Sequence, residues 1–271
     1  LQRTDVLLRE QGLDETDLQD NTELCRALLQ EIAPSVHNSL SRNYYTGAFV
    51  VLDANKTNSR SELGFFGMYL REHSENDKVT YELVRGPLVL KNVIPAESDS
   101  SWKEDFSLEQ KEDNAFYLVP MMAYPNREEP HITDEDCGYW SLGFAVDPKD
   151  QQQCITYSQP IVTESGVQIG IAGFEMNMEF LRNLLTVESE RHSSKNTFIL
   201  AVTKDGGKSF LPIAGGEDLL NEHFAGMDVL LPKEKQQLNG NDFQIINSKD
   251  GTTEFYAAVQ PLHLYGDNSP Y

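Results

Sequence analysis

Six residues of this chain have the types and the setting to recognise a small molecule. Glu175 closes the run Gln168-Ile169-Gly170-Ile171-Ala172-Gly173-Phe174-Glu175, where period-two alternation puts it on one strand face with Ile169, Ile171 and Gly173. A carboxylate on an apolar face must be paired or bound, because burying it alone is costly. The glycines leave space beside it. Met68-Tyr69-Leu70-Arg71 puts Tyr69 and Arg71 on one face of a second strand. Tyr117, Trp140 and Tyr157 stand on three more, in Phe116-Tyr117-Leu118, Gly138-Tyr139-Trp140 and Ile155-Thr156-Tyr157-Ser158. A cup of rings with one acid and one base suits a small polar or zwitterionic ligand. In that reading Tyr69, Tyr117, Trp140 and Tyr157 wall the pocket. Arg71 meets an anionic group, and Glu175 meets a cationic one or a hydroxyl. The plain alternative is an ordinary aromatic core with Glu175 turned to water or to Arg71.

Catalytic signatures fail when written out. A phosphate loop ending at Gly207-Lys208 would need Gly where Val202 stands, and no Ser or Thr follows Lys208. The six histidines are scattered and form no His-Glu-x-x-His. No Gly-x-Ser-x-Gly elbow exists. Asp53-Ala54-Asn55-Lys56-Thr57 starts like a calcium loop but has Gly64 at the twelfth place. Asp134-Glu135-Asp136 reads as solvated surface on an acidic chain. A hydrolase using Glu175 and Tyr157 would lack a nucleophile with its base. No catalytic residue, cofactor or metal is therefore expected. Cys25, Cys137 and Cys154 make neither a disulfide framework nor a zinc module. Cys137 and Cys154 flank a hairpin whose turn lies near Lys149-Asp150, and in regular register their sulfurs stay apart.

The elements that must hold these residues follow from length and pattern. The 271 residues allow one large domain or two modest ones. Lys and Arg total 22 against 43 Asp and Glu, a formal charge of −21, which repels nucleic-acid phosphates and anionic lipid faces. The hydrophobic share of 39% is enough to fill a core. No apolar run nears the roughly 18 residues of a membrane helix. The opening Leu1-Gln2-Arg3-Thr4-Asp5 is polar rather than a signal peptide, and the absence of Met at its head suggests a processed or excised fragment.

Asp20-Asn21-Thr22-Glu23 resembles a capped helix start, and Leu24, Leu28, Leu29, Ile32, Val36, Leu40 and Tyr44 follow as one apolar stripe. A continuous helix to Thr46 would be about 39 Å long, with a kink or break expected at Pro34 and its end at Gly47. Strands are predicted at 49–53, 64–71, 80–90, 116–119, 139–146, 154–162 and 167–177, then a helix over 178–186. The polar stretch 187–195 reads as a linker. A second pattern follows: strands at 198–202 and 208–213, a short helix at 217–224, a possible second over 230–238, and a hairpin of 242–247 with 253–262. The result is an α+β chain: a long N-terminal helix over 1–47, a first module over 48–187, and a shorter second module over 188–271, each with antiparallel sheets. The two modules echo one another in pattern.

Gly138-Tyr139-Trp140-Ser141, Ile155-Thr156-Tyr157-Ser158-Gln159-Pro160 and Ile169 through Leu181 resemble the double-Cache sensor family, the extracytoplasmic input domains of bacterial transmembrane receptors. Phe66-Gly67-Met68-Tyr69-Leu70-Arg71-Glu72, Trp102 and Leu264 through Tyr271 are similar to the branch found on diguanylate cyclases and histidine kinases of Firmicutes. The resemblance spans nearly the whole chain. It implies a membrane-distal PAS-like module with the ligand pocket, a smaller proximal PAS-like module, and a membrane-anchored, signal-transducing parent protein. The ligand would be a small polar molecule, and the N-terminal helix would carry the signal, with a parallel homodimer through that helix allowed. Amino-acid-binding members have Arg two places before the Trp and Tyr after it. Gly138 and Ser141 stand here instead, so the carboxylate clamp is missing, while Glu175 holds the place of the ligand-amine Asp. The competing expectation is a dimerisation module without a ligand, using the helix stripe as its interface.

Overall fold

A computed structural model describes residues 18, 21–55, 64–75, 78–107, 114–123, 133, 136–141, 154–163, 166–192, 197–203, 209–215, 223–224, 229–230, 235–238, 241–260, 262, 264 and 265. The chain divides into two compact units, 1–176 with 264–271, and 177–263. It is α+β, an N-terminal helix followed by antiparallel sheets.

In the first unit, helix α1 spans Thr22–Arg42. The Asn21 side chain accepts from the Leu24 N–H, Glu23 lies in the first turn and Arg42 in the last, so both ends suit the helix dipole. Pro34 sits inside the continuous helix rather than ending it. Leu24, Leu28, Leu29 and Leu40 of the stripe are buried and Ile32 and Val36 pack beside them, while Tyr44 is exposed. The stripe is thus used within the chain.

The strands are β1 (Gly47–Asn55), β2 (Gly64–Glu75), β3 (Lys78–Arg85), β4 (Ala96–Glu97), β5 (Phe106–Ser107), β6 (Tyr139–Ser141), β7 (Cys154–Val162) and β8 (Gln168–Asn177). They form one sheet in the order β4-β3-β2-β1-β8-β7-β6, with β5 on β2. Its two faces are covered differently. Ala48, Val50, Leu52, Met68 and Leu70 pack under α1. Phe49, Val51, Phe65, Tyr69 and Ile171 pack with Phe116 and Tyr117. Those last two residues lie on helix α2 (Ala115–Ala123), where the sequence predicted a strand. A short apolar run fits either form. Pro120 has no N–H for a ladder, and burial at 116, 117, 120 and 123 follows helical spacing. A 3₁₀ turn at Leu88–Asn92 follows β3, so the region predicted as strand to 90 stops at Arg85, where Gly86 takes a positive φ of 122°.

In the second unit, helix α3 (Met178–His192) starts on an Asn177 side chain that accepts from the Phe180 N–H. It continues through most of the stretch predicted as a linker. Strands β9 (Ile199–Val202), β10 (Ser209–Gly215) and β11 (Val229–Leu230) make one sheet. Strands β12 (Gln236–Leu238), β13 (Asn241–Asn247) and β14 (Glu254–Ala257) make another, so the possible helix over 230–238 is strand where it is described. Residues 217–222 of the predicted helix 217–224, and all of 142–153 with the turn 147–150, lie outside the described residues. The hairpin turn is held by Asp250, which accepts from the Ser248 hydroxyl and the Thr252 N–H.

Candidate functional site

Three of the six expected residues meet on the α2 face of the first sheet. Arg71 pairs with Gly47 across β2 and β1, and Gly47 pairs with Glu175 across β1 and β8. The three form one row, with the outer strands about 10 Å apart. Gly47 has no side chain, so Arg71 and Glu175 reach over it and meet: the Arg71 Nε–H donates to Glu175 Oε1 at 3.1 Å. A Cβ on Gly47 would lie 2.7 Å from Glu175 Cγ and 2.9 Å from Tyr69 Cε2. Arg71 Nη2 donates to the Tyr69 hydroxyl, and the guanidinium sits 5.2 Å from the Tyr69 ring centre. The floor is aromatic: Phe49 makes edge-to-face contacts with Tyr69 and Phe116.

This cluster is buried. The Arg71 and Glu175 side chains are 9% and 1% exposed. Burial, then the Glu175 charge, push the Tyr69 phenol well above its ordinary pKa, so it stays neutral. Burial opposes the charge on Arg71, but Tyr69 and Glu175 outweigh it and hold the guanidinium protonated. The pair therefore sums to zero charge. One polar atom is left over. Glu175 Oε2 is buried with no hydrogen-bond partner among the described residues. Thr156 Oγ1 on β7, the strand beside β8, is in the same condition. Thr156 shares strand parity with Ser158, whose hydroxyl donates to the Phe116 carbonyl on α2, so both orphan atoms belong to the α2 face.

The backbone of Glu175 ties the cluster to the helix on the other side of the sheet. Its carbonyl accepts from the Thr46 N–H at 2.9 Å and the Thr46 hydroxyl at 3.2 Å, and the Thr46 carbonyl accepts from the Glu72 N–H. Tyr45, just past the end of α1, stacks on Phe174 at 4.0 Å between ring centres.

The other expected residues stand elsewhere. Tyr157 and Trp140 are a cross-strand pair on β7 and β6, with ring centres 5.0 Å apart, and both contact Phe174. Phe174 precedes Glu175 and pairs with Ala48, which packs under α1, so this aromatic group is on the sheet face opposite Glu175. The Tyr157 hydroxyl fills the space a Cβ on Gly138 would take, 2.0 Å away. Tyr117, on α2 rather than a strand, donates to Asp53 Oδ1 at 3.0 Å. Of the four rings expected to wall a pocket, Tyr69 alone stands at the acid–base pair. Ile169 also leaves the Glu175 face for the α1 side, preceding Gly170 with its φ of 152°. Sequence reasoning missed Gly47, read only as a helix end, and Thr156. The signal for Gly47 was a glycine opening a strand opposite two charged residues.

Among the described residues no cluster of His, Cys, Asp and Glu could hold a metal. Asp136 is engaged by the Thr133 N–H and hydroxyl at 2.7 and 2.8 Å, while residues 134–135 lie outside the described set. Cys25, Cys137 and Cys154 are buried, and none of them is in a disulfide. No described helix is long and apolar enough to cross a membrane.

No protein-family model matches the sequence, and no curated protein does. Solved structures similar to it include the periplasmic sensory domain of the Campylobacter jejuni chemoreceptor Tlp1, at 10% identity and a TM-score of 0.40, covering 91% of this chain and 82% of that one. Another is the ligand-binding domain of the Pseudomonas aeruginosa amino-acid chemoreceptor PctC in complex with GABA, at 15% identity and a TM-score of 0.36, covering 90% and 80%. A third is the Campylobacter jejuni Tlp3 sensory domain with isoleucine bound, at 14% identity and a TM-score of 0.37, covering 92% and 83%.

Proposed function

We propose that this chain is a non-catalytic, extracytoplasmic sensor domain of the double-Cache type from a membrane-anchored signalling receptor. It binds a small polar molecule in its first unit, on the α2 face of the sheet. The observation that carries this reading is the Glu175 carboxylate, fully buried on a sheet face, with one oxygen paired to Arg71 and the other without a partner among the described residues. Leaving a buried acceptor uncapped costs about 1–3 kcal/mol, more for a charged group. A ligand donor at Oε2 recovers that free energy. The sequence resemblance supports the same reading.

The signal runs through the strand itself. Glu175 faces the site, and its carbonyl holds Thr46, while Phe174 on the opposite face stacks on Tyr45. A ligand that prefers one position of Glu175 favours one arrangement of the α1–β1 junction, and populations shift by that difference in affinity.

Calorimetric titration of the chain with amino acids, amines, organic acids and nucleobases tests the reading. A compound should bind, bind at least ten-fold more weakly to Glu175→Ala, and change amide hydrogen exchange at 44–47. A chain that binds none of them, or a compound that binds Glu175→Ala equally well, removes the site.

A further inference from the structure

We infer that the ligand group recognised at Glu175 is uncharged: a hydroxyl, primary amide or ring N–H that donates to Oε2, rather than an ammonium. This rests on the sensor reading and narrows its ligand class. The cluster is already neutral, because Arg71 donates to Glu175 Oε1 at 3.1 Å and Tyr69 keeps its proton. An ammonium at Oε2 would be a second cation on one carboxylate, within a few ångströms of a guanidinium that is itself 9% exposed. That buried positive charge would have no counter-charge, and an unpaired charge in a buried site is far costlier than an unpaired neutral donor. The further carboxylates in the row, Glu82 on β3 and Glu97 on β4, lie on the far side of Arg71 from Glu175, and Glu82 is taken by His73 Nε2 at 2.7 Å.

A neutral donor meets no such penalty. The site asks only for a proton at Oε2, a charge-assisted hydrogen bond stronger than one between neutral groups. Thr156 adds a second demand. Its hydroxyl, also uncapped and on the same face of the neighbouring strand, can donate to a ligand carbonyl or hydroxyl oxygen. A donor beside an acceptor on one small uncharged molecule, as in an amide, a polyol or a nucleobase edge, satisfies both orphans together.

The test is thermal-shift and calorimetric titration of the chain with two matched sets. The uncharged set is nicotinamide, uracil, hypoxanthine, ribose and inositol; the second set, cationic at the donor group, is propylamine and putrescine with the zwitterions glycine and γ-aminobutyrate. An uncharged compound should bind and a cationic one should not. Thr156→Val, which keeps the side-chain shape should the Glu175 variants fold poorly, should weaken the hit about ten-fold, and Glu175→Gln should weaken it further. A cationic compound binding more tightly than any uncharged one overturns the inference and leaves the sensor reading standing. An uncharged hit that binds Thr156→Val and Glu175→Gln as it binds the unaltered chain overturns the assignment of these two groups. No binding in either set overturns the inference together with the reading beneath it.

Discussion

Replacing both members of the Arg71–Glu175 pair should cost far less than replacing either one. At 3.1 Å and an effective dielectric near 20, the gross attraction is about 5 kcal/mol. Stripping water from two side chains that are 9% and 1% exposed costs several kcal/mol per ion, so the pair contributes little net. Removing one partner leaves the other buried and unmatched, which costs about 3–5 kcal/mol. Arg71→Met and Glu175→Leu should each lose that much. The double variant, with apolar groups of similar bulk over Gly47, should lose about 2 kcal/mol or less, so the coupling is about 4 kcal/mol or more. Urea unfolding of the four proteins measures this, with the slope checked for constancy. Both tryptophans, Trp102 and Trp140, belong to the unit that holds the pair, so their fluorescence reports that unit. A double variant whose loss equals the sum of the singles, or a harmless Glu175→Leu, would refute the buried pair.

Three further outcomes are expected. Gly47→Ala puts a methyl 2.7 Å from Glu175 Cγ and should destabilise by about 1–3 kcal/mol, read as a lower urea midpoint; an unchanged midpoint would mean that Glu175 does not cross over Gly47. His37, edge-on to the Tyr81 ring with Nε2 unpartnered, is held below its ordinary pKa by burial. Its folded state resists protonation, so stability is full above about pH 6.5 and lost as pH falls through the folded value. The urea midpoint should therefore drop from pH 7.5 to 5.5, and His37→Phe should flatten that drop. Glu72, pushed up by burial, acts in the opposite sense, its stabilising effect being lost as pH rises above its unfolded value of 4.5. Trp140→Ala removes contacts with Tyr157 and Phe174 on the α1 face, so it should lower stability yet leave ligand affinity within about two-fold. A large loss of affinity in a well-folded Trp140→Ala protein would return Trp140 to the site.

Much of the fold was legible in the residues. The α1 stripe, its Asn21 cap and the hairpin of β7 and β8 all follow from period and turn chemistry. The site was legible only within strands. Alternation correctly grouped Tyr69 with Arg71, and Tyr157 with Ile155 and Gln159. It could not say how the parity of β7 relates to that of β8. A slip of one residue between neighbours exchanges every side chain between faces, and pairing partners rather than local sequence set it. Trp140 stands with Tyr157 on the α1 face because the two are cross-strand partners. Tyr117 stands on a helix for a different reason: the run Ala115–Ala123 is apolar throughout although only one side of it is buried, and a run without polar residues has no period to read.

The most direct measurement is a crystal structure of the chain with its best-binding compound. A donor atom of that compound should lie about 2.7–3.2 Å from Glu175 Oε2, on the α2 face, with Arg71 still on Oε1. A compound seated instead among Trp140, Tyr157 and Phe174, or one that leaves Oε2 uncapped, would contradict this placement.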